Sequence, residues 1–456
     1  MEILLCAAGS HGDVLPFVAI GRECRARGHD VTLLANPVFK AYAESAGMAF
    51  VPVGTIEGYR DMFSVPIEHD PKLAFARIAK EFAALAPLYL AALRRAHRPG
   101  SAAVSVGPPL LFAPMIWREL DGVPCATLHL APAAMRSNEA PPRLMPRGIG
   151  PTTPGWAARI WWWLADRYYD RHFTRPLNRW RSELGLAPLP HAIGWTDEAD
   201  ALIGAFPAWY GPPASDWPRQ LQLAGFFLAD GSESSSERAH LGDELEAFLG
   251  SGPAPVVFSA GTATRSARAF FDVSVQACRQ CGLRGLLMSH VPEQLPPDLP
   301  PEVRAVPYAP YGALLPRAAA FVHHGGIGST AQALHAGVPQ LVRPVAYDQF
   351  DNSARVQRMG VALELLPAQY ELRSVDAALR RLCTDAGLRE RAAAVAQRMA
   401  TAEASGPAAV ARACDAILSL APDDRPLRRP LIPTERGDRQ NTSDDTLSDS
   451  RSEPTR

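Results

Sequence analysis

Residues 319–345 read AAFVHHGGIGSTAQALHAGVPQLVRPV. An apolar run enters a cluster of glycines. Ser329 and Thr330 open a helical pattern of about two turns, Gly337 closes it, and a second apolar run follows Pro339. This is strand, glycine turn, helix, strand, the unit from which parallel sheets are built. Glycines at the carboxyl end of a strand expose bare backbone N–H groups and let a ligand approach where a Cβ would block it. The start of the helix adds roughly half an elementary positive charge. Phosphate or pyrophosphate suits such a turn, and His323 or His324 could donate a further hydrogen bond to it. Taken alone, the same residues serve equally well as a capped helix after a tight turn. A metal role for the two histidines is the weaker reading, because adjacent side chains on a strand diverge and no carboxylate follows at ligand spacing.

The same alternation runs outward from this stretch. At the N-terminus, EILLCAA is a short apolar run and GSHGD breaks it; VLPFVAIGRECRARG has helical spacing and stops at Gly28, and HDVTLLA is β-rich. MAFVPVG, a helix over 71–95, AAVSVG, a helix over 111–120 and PCATLHL continue the series. A second series begins at APVVFSAGT and passes through RGLLMSH, VRAVPY and PQLVRPV. The expected class is α/β, with two Rossmann-like doubly wound domains facing a central cleft. Their expected limits are 1–227 and 246–420, with a polar, Ser-rich linker at 228–245 and a Pro-rich polar tail at 421–456 expected to be disordered. Residues 136–155 are rich in Pro and Gly and read as a long loop. The aromatic stretch 156–180 reads as a helix with one broad apolar face.

Composition bounds the function. The 456 residues are 47% hydrophobic and 20% charged, with a formal net charge of -1, so no basic surplus argues for a nucleic-acid partner. The seven cysteines are scattered and odd in number, which fits free thiols in a reducing cytoplasm. Cys278 and Cys281 form a lone CxxC, short of the about four ligands a structural zinc needs. The N-terminus lacks the basic segment of a signal peptide. No apolar run reaches the ~18–20 residues that span a bilayer. A cytoplasmic protein, soluble or peripheral to the inner membrane, is expected.

HHGGIGSTAQALHAGVPQLVRPVAYDQFDN resembles the donor-binding signature of the nucleotide-sugar glycosyltransferases of the two-Rossmann-domain (GT-B) type, which include plant natural-product, sterol and antibiotic enzymes. Further elements recur in the family's order. GSHGDVLPF resembles the acceptor-side loop, FSAGT the first loop of the second domain, and YAPYGALLP the segment that packs on the base. PVFKAYAESAGMAFVPVG, FPAWYGPPASDWPRQLQLAGFFLADG and DQFDNSARVQRMGV resemble more narrowly the catalytic subunits of bacterial rhamnosyltransferase 1, a family of rhamnolipid biosynthesis. That family moves rhamnose from dTDP-L-rhamnose to a 3-(3-hydroxyalkanoyloxy)alkanoate.

The resemblance implies roles position by position. His324 would contact the donor diphosphate, and Gly326, Gly328, Ser329 and Thr330 would supply backbone or hydroxyl donors to it. Gln332 stands where many relatives carry a ribose-binding Glu, and would bond a ribose hydroxyl without charge. Asp348 and Gln349 would read the sugar hydroxyls. Tyr308 replaces a base-stacking Trp of plant relatives, with the backbone of Ala309 at the base edge. Gly261 and Thr262 would lie beneath the nucleotide. On the acceptor side the resemblance implies Gly12 and, for a lipid channel, Trp161. Trp161, Trp162 and Trp163 together suggest a surface for peripheral membrane contact.

Transfer to a hydroxyl needs a base within reach of it. Asp13 aligns with the family's base position, and His11 is the second candidate. Plant relatives orient a catalytic His with an Asp, yet the matching AAVSVGPP carries no carboxylate, which leaves open what holds Asp13. The resemblance implies inversion by single displacement, no cofactor beyond the co-substrate dTDP-L-rhamnose, no metal, and a separate acyltransferase subunit as a partner. The competing expectations are a GT-B enzyme using UDP-glucose with a sterol, macrolide or glycolipid acceptor, and a nucleotide-sugar 2-epimerase, which would need no acceptor-side base.

Overall fold

The computed structural model describes residues 1–63, 71–229, 241–262, 264, 266–401 and 403–421. Two parallel sheets account for every named strand. The first contains β1 (Glu2–Cys6), β2 (Asp30–Ala35), β3 (Ala49–Pro52), β4 (Ala103–Gly107), β5 (Cys125–His129), β6 (Ala201–Gly204) and β7 (Leu221–Leu223), in the order β3-β2-β1-β4-β5-β6-β7. The second contains β8 (Val256–Ser259), β9 (Gly285–Met288), β10 (Val303–Val306), β11 (Ala320–His323), β12 (Gln340–Val342) and β13 (Ala362–Glu364), in the order β10-β9-β8-β11-β12-β13. Each is the doubly wound order expected from the sequence. The central strands are buried at every residue, as in EILLC of β1 and AVSVG of β4. Helices cover both faces of such strands, which is why their runs are continuously apolar rather than alternating.

In each sheet the order reverses beside the first strand, at β1/β4 and at β8/β11. A crevice opens there at the strands' carboxyl ends. The loops after β1, β8 and β11 are GSHGD, AGT and HGG, the glycine turns singled out in the sequence.

The halves share a core. Met135, Phe206, Tyr210, Trp217 and Phe226 from the first half pack with Ala331, Leu334, Val342 and Val356 from the second. Burying each large apolar side chain contributes about 1.5–3 kcal/mol, so the two domains are docked by a common interior. The loop 136–155 reaches across, and the Arg143 guanidinium grips Glu364 at 2.8 and 3.0 Å.

The expected domain limit at residue 420 is corrected. The polypeptide crosses back beside Phe226, where an isolated bridge pairs it with Ser405. The helix Pro407–Leu418 then packs in the core of the first sheet, with Ala409, Ala413, Cys414 and Ile417 against Cys24 and its neighbours. Its apolar spacing fits either sheet equally well, so no local pattern announces the crossing. Most of the expected linker, residues 230–240, and the tail from 422 lie outside the described residues. The aromatic stretch is broken into the helix Gly155–Tyr169, a π-helical turn and the helix Arg175–Glu183.

Candidate active site

The turn after β11 is built around two histidines in different settings. His323 ends β11 fully buried. Its Nδ1 accepts the Gly325 N–H at 3.1 Å, so the proton sits on Nε2, which donates to Gln340 Oε1 at 3.0 Å. Burial pushes its pKa down to about 3. This is a structural clasp that the sequence did not disclose. His324 lies between Gly261 and Gly326. A Cβ on Gly261 would meet the His324 ring at 2.7 Å, and one on Gly326 would meet Nε2 at 2.5 Å. Burial lowers its pKa to about 4, so the ring is neutral and donates one N–H. Its Nδ1 is buried without a partner among the described residues. An unpartnered imidazole at the start of a helix fits a phosphate oxygen.

That helix, Ile327–Ala336, starts earlier than the sequence suggests. Gly326 is its N-cap, so Ser329 sits inside the first turn and does not cap it. Ser329 meets the hydroxyl of the half-buried Tyr311, which also donates to Ser259 Oγ at 3.2 Å. Gly328 is exposed, with open space where a Cβ would be. One expected donor contact is corrected. Thr330 is fully buried and its hydroxyl donates to the Gly326 carbonyl at 3.0 Å, so it is not available to a diphosphate. Gln332 is 5% exposed, and its Nε2 donates to the Leu228 carbonyl at 3.1 Å. One amide N–H is thereby committed to the segment between the domains, which leaves the Oε1 acceptor for a ribose hydroxyl.

On the acceptor side, Ser10 caps the helix His11–Ala26, and Gly9 at φ +119° makes the turn into it. A Cβ on Gly9 would meet Asp13 Oδ2 at 2.4 Å. Asp13 Oδ2 accepts both the Ser10 N–H at 2.7 Å and the Ser10 hydroxyl at 2.9 Å. This answers what holds Asp13 in place of a neighbouring charge. Asp13 keeps solvent contact yet is walled in by both domains. Enclosure raises its pKa, against the opposing pull of the two Ser10 bonds. Gly12 is exposed beside it. Ala7, Ala8, Phe39, Val53, Tyr59 and Tyr89 line a mainly apolar cavity of about 90 Å³ at the ends of β1, β2 and β3, reaching Gly9.

Asp348 lies across from Asp13. It accepts from Asn352 Nδ2 at 2.7 Å and from the Ile327 backbone N–H, joining the starts of two helices. Burial, reinforced by the Asp13 charge, pushes its pKa up to about 7. Tyr347 before it adopts φ +60°, an uncommon conformation for a side chain other than Gly. Gln349 Oε1 accepts the N–H groups of Val345 and Ala346 at 2.8 and 3.0 Å, which fixes this turn. At the far end, Tyr308 is 44% exposed with Ala309 buried beneath it, and Thr262 is exposed. The Tyr308 ring lies near-parallel to His290 (6.1 Å, 17°), and His290 near-parallel to His11 (6.5 Å, 15°). His290 was missed, because a single histidine after a strand carries no pattern.

Trp161 packs edge-on against Trp162 at 4.8 Å in a small cluster with Leu144 and Ile149, and is not among the residues that line the cavity at Gly9.

The N-terminal part, residues 3–137, matches the glycosyltransferase family 28 N-terminal domain. Residues 287–417 match the erythromycin biosynthesis protein CIII-like C-terminal domain. The protein is 30% identical over 427 residues, 88% of its length and 94% of the relative's, to O-mycaminosyltylonolide 6-deoxyallosyltransferase of Streptomyces fradiae. It belongs to the GT-B glycosyltransferases. Among solved structures, it is similar to the glycotransferase of kitacinnamycin, with a TM-score of 0.70 at 20% identity over 92% of this protein and 99% of that one. The spinosyn rhamnosyltransferase SpnG complexed with thymidine diphosphate gives 0.61 at 20% identity over 91% and 100%. At these identities the likeness speaks for the fold, and the family follows from the sequence relative.

Gly326→Ala isolates the histidine cradle, because φ at 326 is -59° and suits alanine. It should displace His324 and weaken nucleoside-diphosphate binding by about tenfold to a hundredfold by calorimetry, the scale of one charge-assisted hydrogen bond. Asp348 gives a pH signature. A folded state that holds its proton up to about pH 7, against an ordinary value of 3.8, is favoured below 3.8 and loses that advantage as pH rises through 7. Asp348→Asn should therefore raise Tm at pH 8, and the difference should close toward pH 4.

Proposed function

We propose that this glycosyltransferase moves L-rhamnose from dTDP-L-rhamnose to the hydroxyl of a 3-(3-hydroxyalkanoyloxy)alkanoate, giving a mono-rhamnolipid. The observation that carries the reading is the pairing, in one cleft, of an anchored carboxylate beside an apolar cavity with a neutral histidine at a glycine turn. Asp13 takes the hydroxyl proton as the oxygen attacks the anomeric carbon. The bond to the diphosphate breaks, and the leaving charge meets His324, the Gly328 and Ser329 N–H groups and the start of the 327–336 helix. Attack from the side opposite the leaving group inverts the centre. Asp13 is favoured over His11 as base. Its carboxylate is held on Oδ2 and leaves Oδ1 without a described partner, whereas the His11 ring is packed against Phe39 and Tyr42.

Support for the sugar comes from chemistry the relatives share. A 6-deoxyallosyltransferase and a rhamnosyltransferase both move 6-deoxyhexoses, and the latter was solved with thymidine diphosphate. That weighs against UDP-glucose. The macrolide acceptor of the first relative keeps one alternative open, a 6-deoxyhexose transfer to a macrolide. A 2-epimerase reading leaves Asp13 without a task. Support for an acyl acceptor is the apolar lining of the cavity beside Gly9. A partner acyltransferase would supply that acceptor.

We further infer peripheral membrane contact, on a face that keeps Trp163 of the three tryptophans first expected. Trp162 is buried, and its indole N–H donates to the Ser137 carbonyl at 2.9 Å. The exposed large apolar residues of the helix are Trp156, Ile160, Trp163 and Leu164, spaced on one face. Exposed Arg159, Arg167, Arg171, Arg175 and Arg179 border them, none paired with a carboxylate among the described residues. Indoles and arginines around an apolar strip suit an anionic interface. Among the described residues no helix is long and apolar enough to cross a membrane.

Purified protein given a hydroxyalkanoyloxyalkanoate with dTDP-L-rhamnose or UDP-glucose should form rhamnolipid from the first only, read by mass spectrometry. Product from UDP-glucose alone would overturn the donor. Asp13→Asn should lower kcat by at least about a hundredfold. In flotation assays the protein should rise with vesicles containing phosphatidylglycerol and stay down with pure phosphatidylcholine. Replacing Trp156 and Trp163 by Ser should abolish flotation, and unchanged flotation would exclude this face.

A further inference from the structure

Asp348 is held by a series of buried groups that starts in the other domain. Tyr210 follows β6 in the first half and is 1% exposed. Its hydroxyl donates to Asn352 Oδ1 at 2.9 Å. An amide that presents its oxygen to one neighbour must present its two N–H groups to others. Asn352 Nδ2 donates to Asp348 Oδ2 at 2.7 Å and to the Gly325 carbonyl at 2.9 Å. One fully buried amide thus bonds the carboxylate, the histidine–glycine turn and a tyrosine from the opposite domain.

Tyr210 is itself fixed across the interface. Its backbone carbonyl accepts Arg355 Nη1 at 2.8 Å, and Arg355 Nε bonds Asp351 Oδ2 at 2.6 Å. Asp351 Oδ1 accepts the backbone N–H of Arg143, again from the first domain, at 3.0 Å. Asp351 and Arg355 are buried, where an incomplete network would be costly. Helix start and docking account for Asp351 and Arg355. They do not account for an amide whose oxygen is turned to the other domain while its nitrogen holds a carboxylate facing the reaction cleft.

We propose that Tyr210 and Asn352 are positioning residues for the donor sugar: the hydrogen bond between them, crossing from one domain to the other, orients the Asp348 carboxylate and makes sugar recognition conditional on the docked interface. This rests on the reading of Asp348 as a sugar-contacting group. The diphosphate end does not depend on the tyrosine. His324, Gly326 and Gly328 reach their places through β11 and the glycine contacts, so loss of the tyrosine bond strikes the sugar and spares the nucleotide.

The test compares dTDP with dTDP-L-rhamnose binding by calorimetry in full-length protein and in Tyr210→Phe, Asn352→Ala, Asp348→Asn and the Tyr210→Phe/Asp348→Asn pair. Tyr210→Phe should bind dTDP as the parent does and bind dTDP-L-rhamnose about tenfold more weakly, with the donor KM rising and the acceptor KM unmoved. Asn352→Ala, which also frees the Gly325 carbonyl of the histidine–glycine turn, should weaken dTDP-L-rhamnose at least as much and dTDP as well. The double variant should be no weaker than Asp348→Asn alone, because both changes disable one contact. A Tyr210→Phe variant that weakens both ligands equally, or neither, while Asp348→Asn is selectively impaired, overturns the positioning role. If Asp348→Asn leaves sugar-nucleotide affinity intact, the sugar-contacting reading itself falls, and this proposal with it.

Discussion

Two carboxylates from opposite domains face one cleft, and the charge of Asp13 makes Asp348 harder to ionise. Burial raises the pKa of Asp348 most, and the crowding of protein around the solvent-touching Asp13 raises its own pKa as well. Like charges in a site of low polarity persist only where neighbouring groups donate to them. Much of the local structure supplies such donors. Ser10 offers two to Asp13, with Gly9 bare so that the carboxylate can lie over it. Asn352 and the Ile327 N–H serve Asp348. Because the carboxylates belong to different domains, their opposition is also a demand on how those domains dock.

That demand is met by a shared interior rather than by a hinge between two closed bodies. Aromatic residues from the first half fill a core with the helices 327–336 and 349–358 of the second. Arg143 ties the long loop to Glu364. The final helix returns to the first sheet and closes the fold on itself. The helices that carry the proposed donor contacts are thus the helices that form the interface. Packing and recognition use opposite sides of the same elements, which explains why Thr330 and Gln332, one turn into the helix, belong to the interior while Gly326, Gly328 and Ser329 at its start face outward.

This division also explains what the sequence disclosed. The α/β class and the turn positions were legible, because fully buried parallel strands and the glycines between strand and helix leave unmistakable local patterns. Asp13 and His324 were singled out through the family resemblance, and part of their setting is local, from Ser10 and Gly9 for Asp13 and from Gly326 for His324. What escaped was long-range. Nothing near Gln332 announces its bond to Leu228, 104 residues earlier. Nothing near Trp161 separates the buried side of its helix from the exposed one, for tryptophans occur on both. The return of the last helix and the tie from Tyr210 to Asn352 are likewise contacts between distant segments with no periodic trace.

The Asp348–Gln349 pair shows how far a motif can be read before the backbone is known. As a motif it suggests two side chains reaching for one sugar. In the fold the two differ in kind. Gln349 turns its oxygen back on Val345 and Ala346, so only its amide nitrogen remains for a ligand. That backward bond clamps the turn in which Tyr347 takes a left-handed conformation, which disfavours a side chain by about 1–2 kcal/mol. Strain of this sort persists where surrounding bonds over-determine the geometry. Here those bonds come from Gln349 on one side and from Asn352, held by Tyr210, on the other. Asp348 is therefore presented to the cleft by a strained turn clamped at both ends. Its raised pKa and its place opposite Asp13 follow from that presentation.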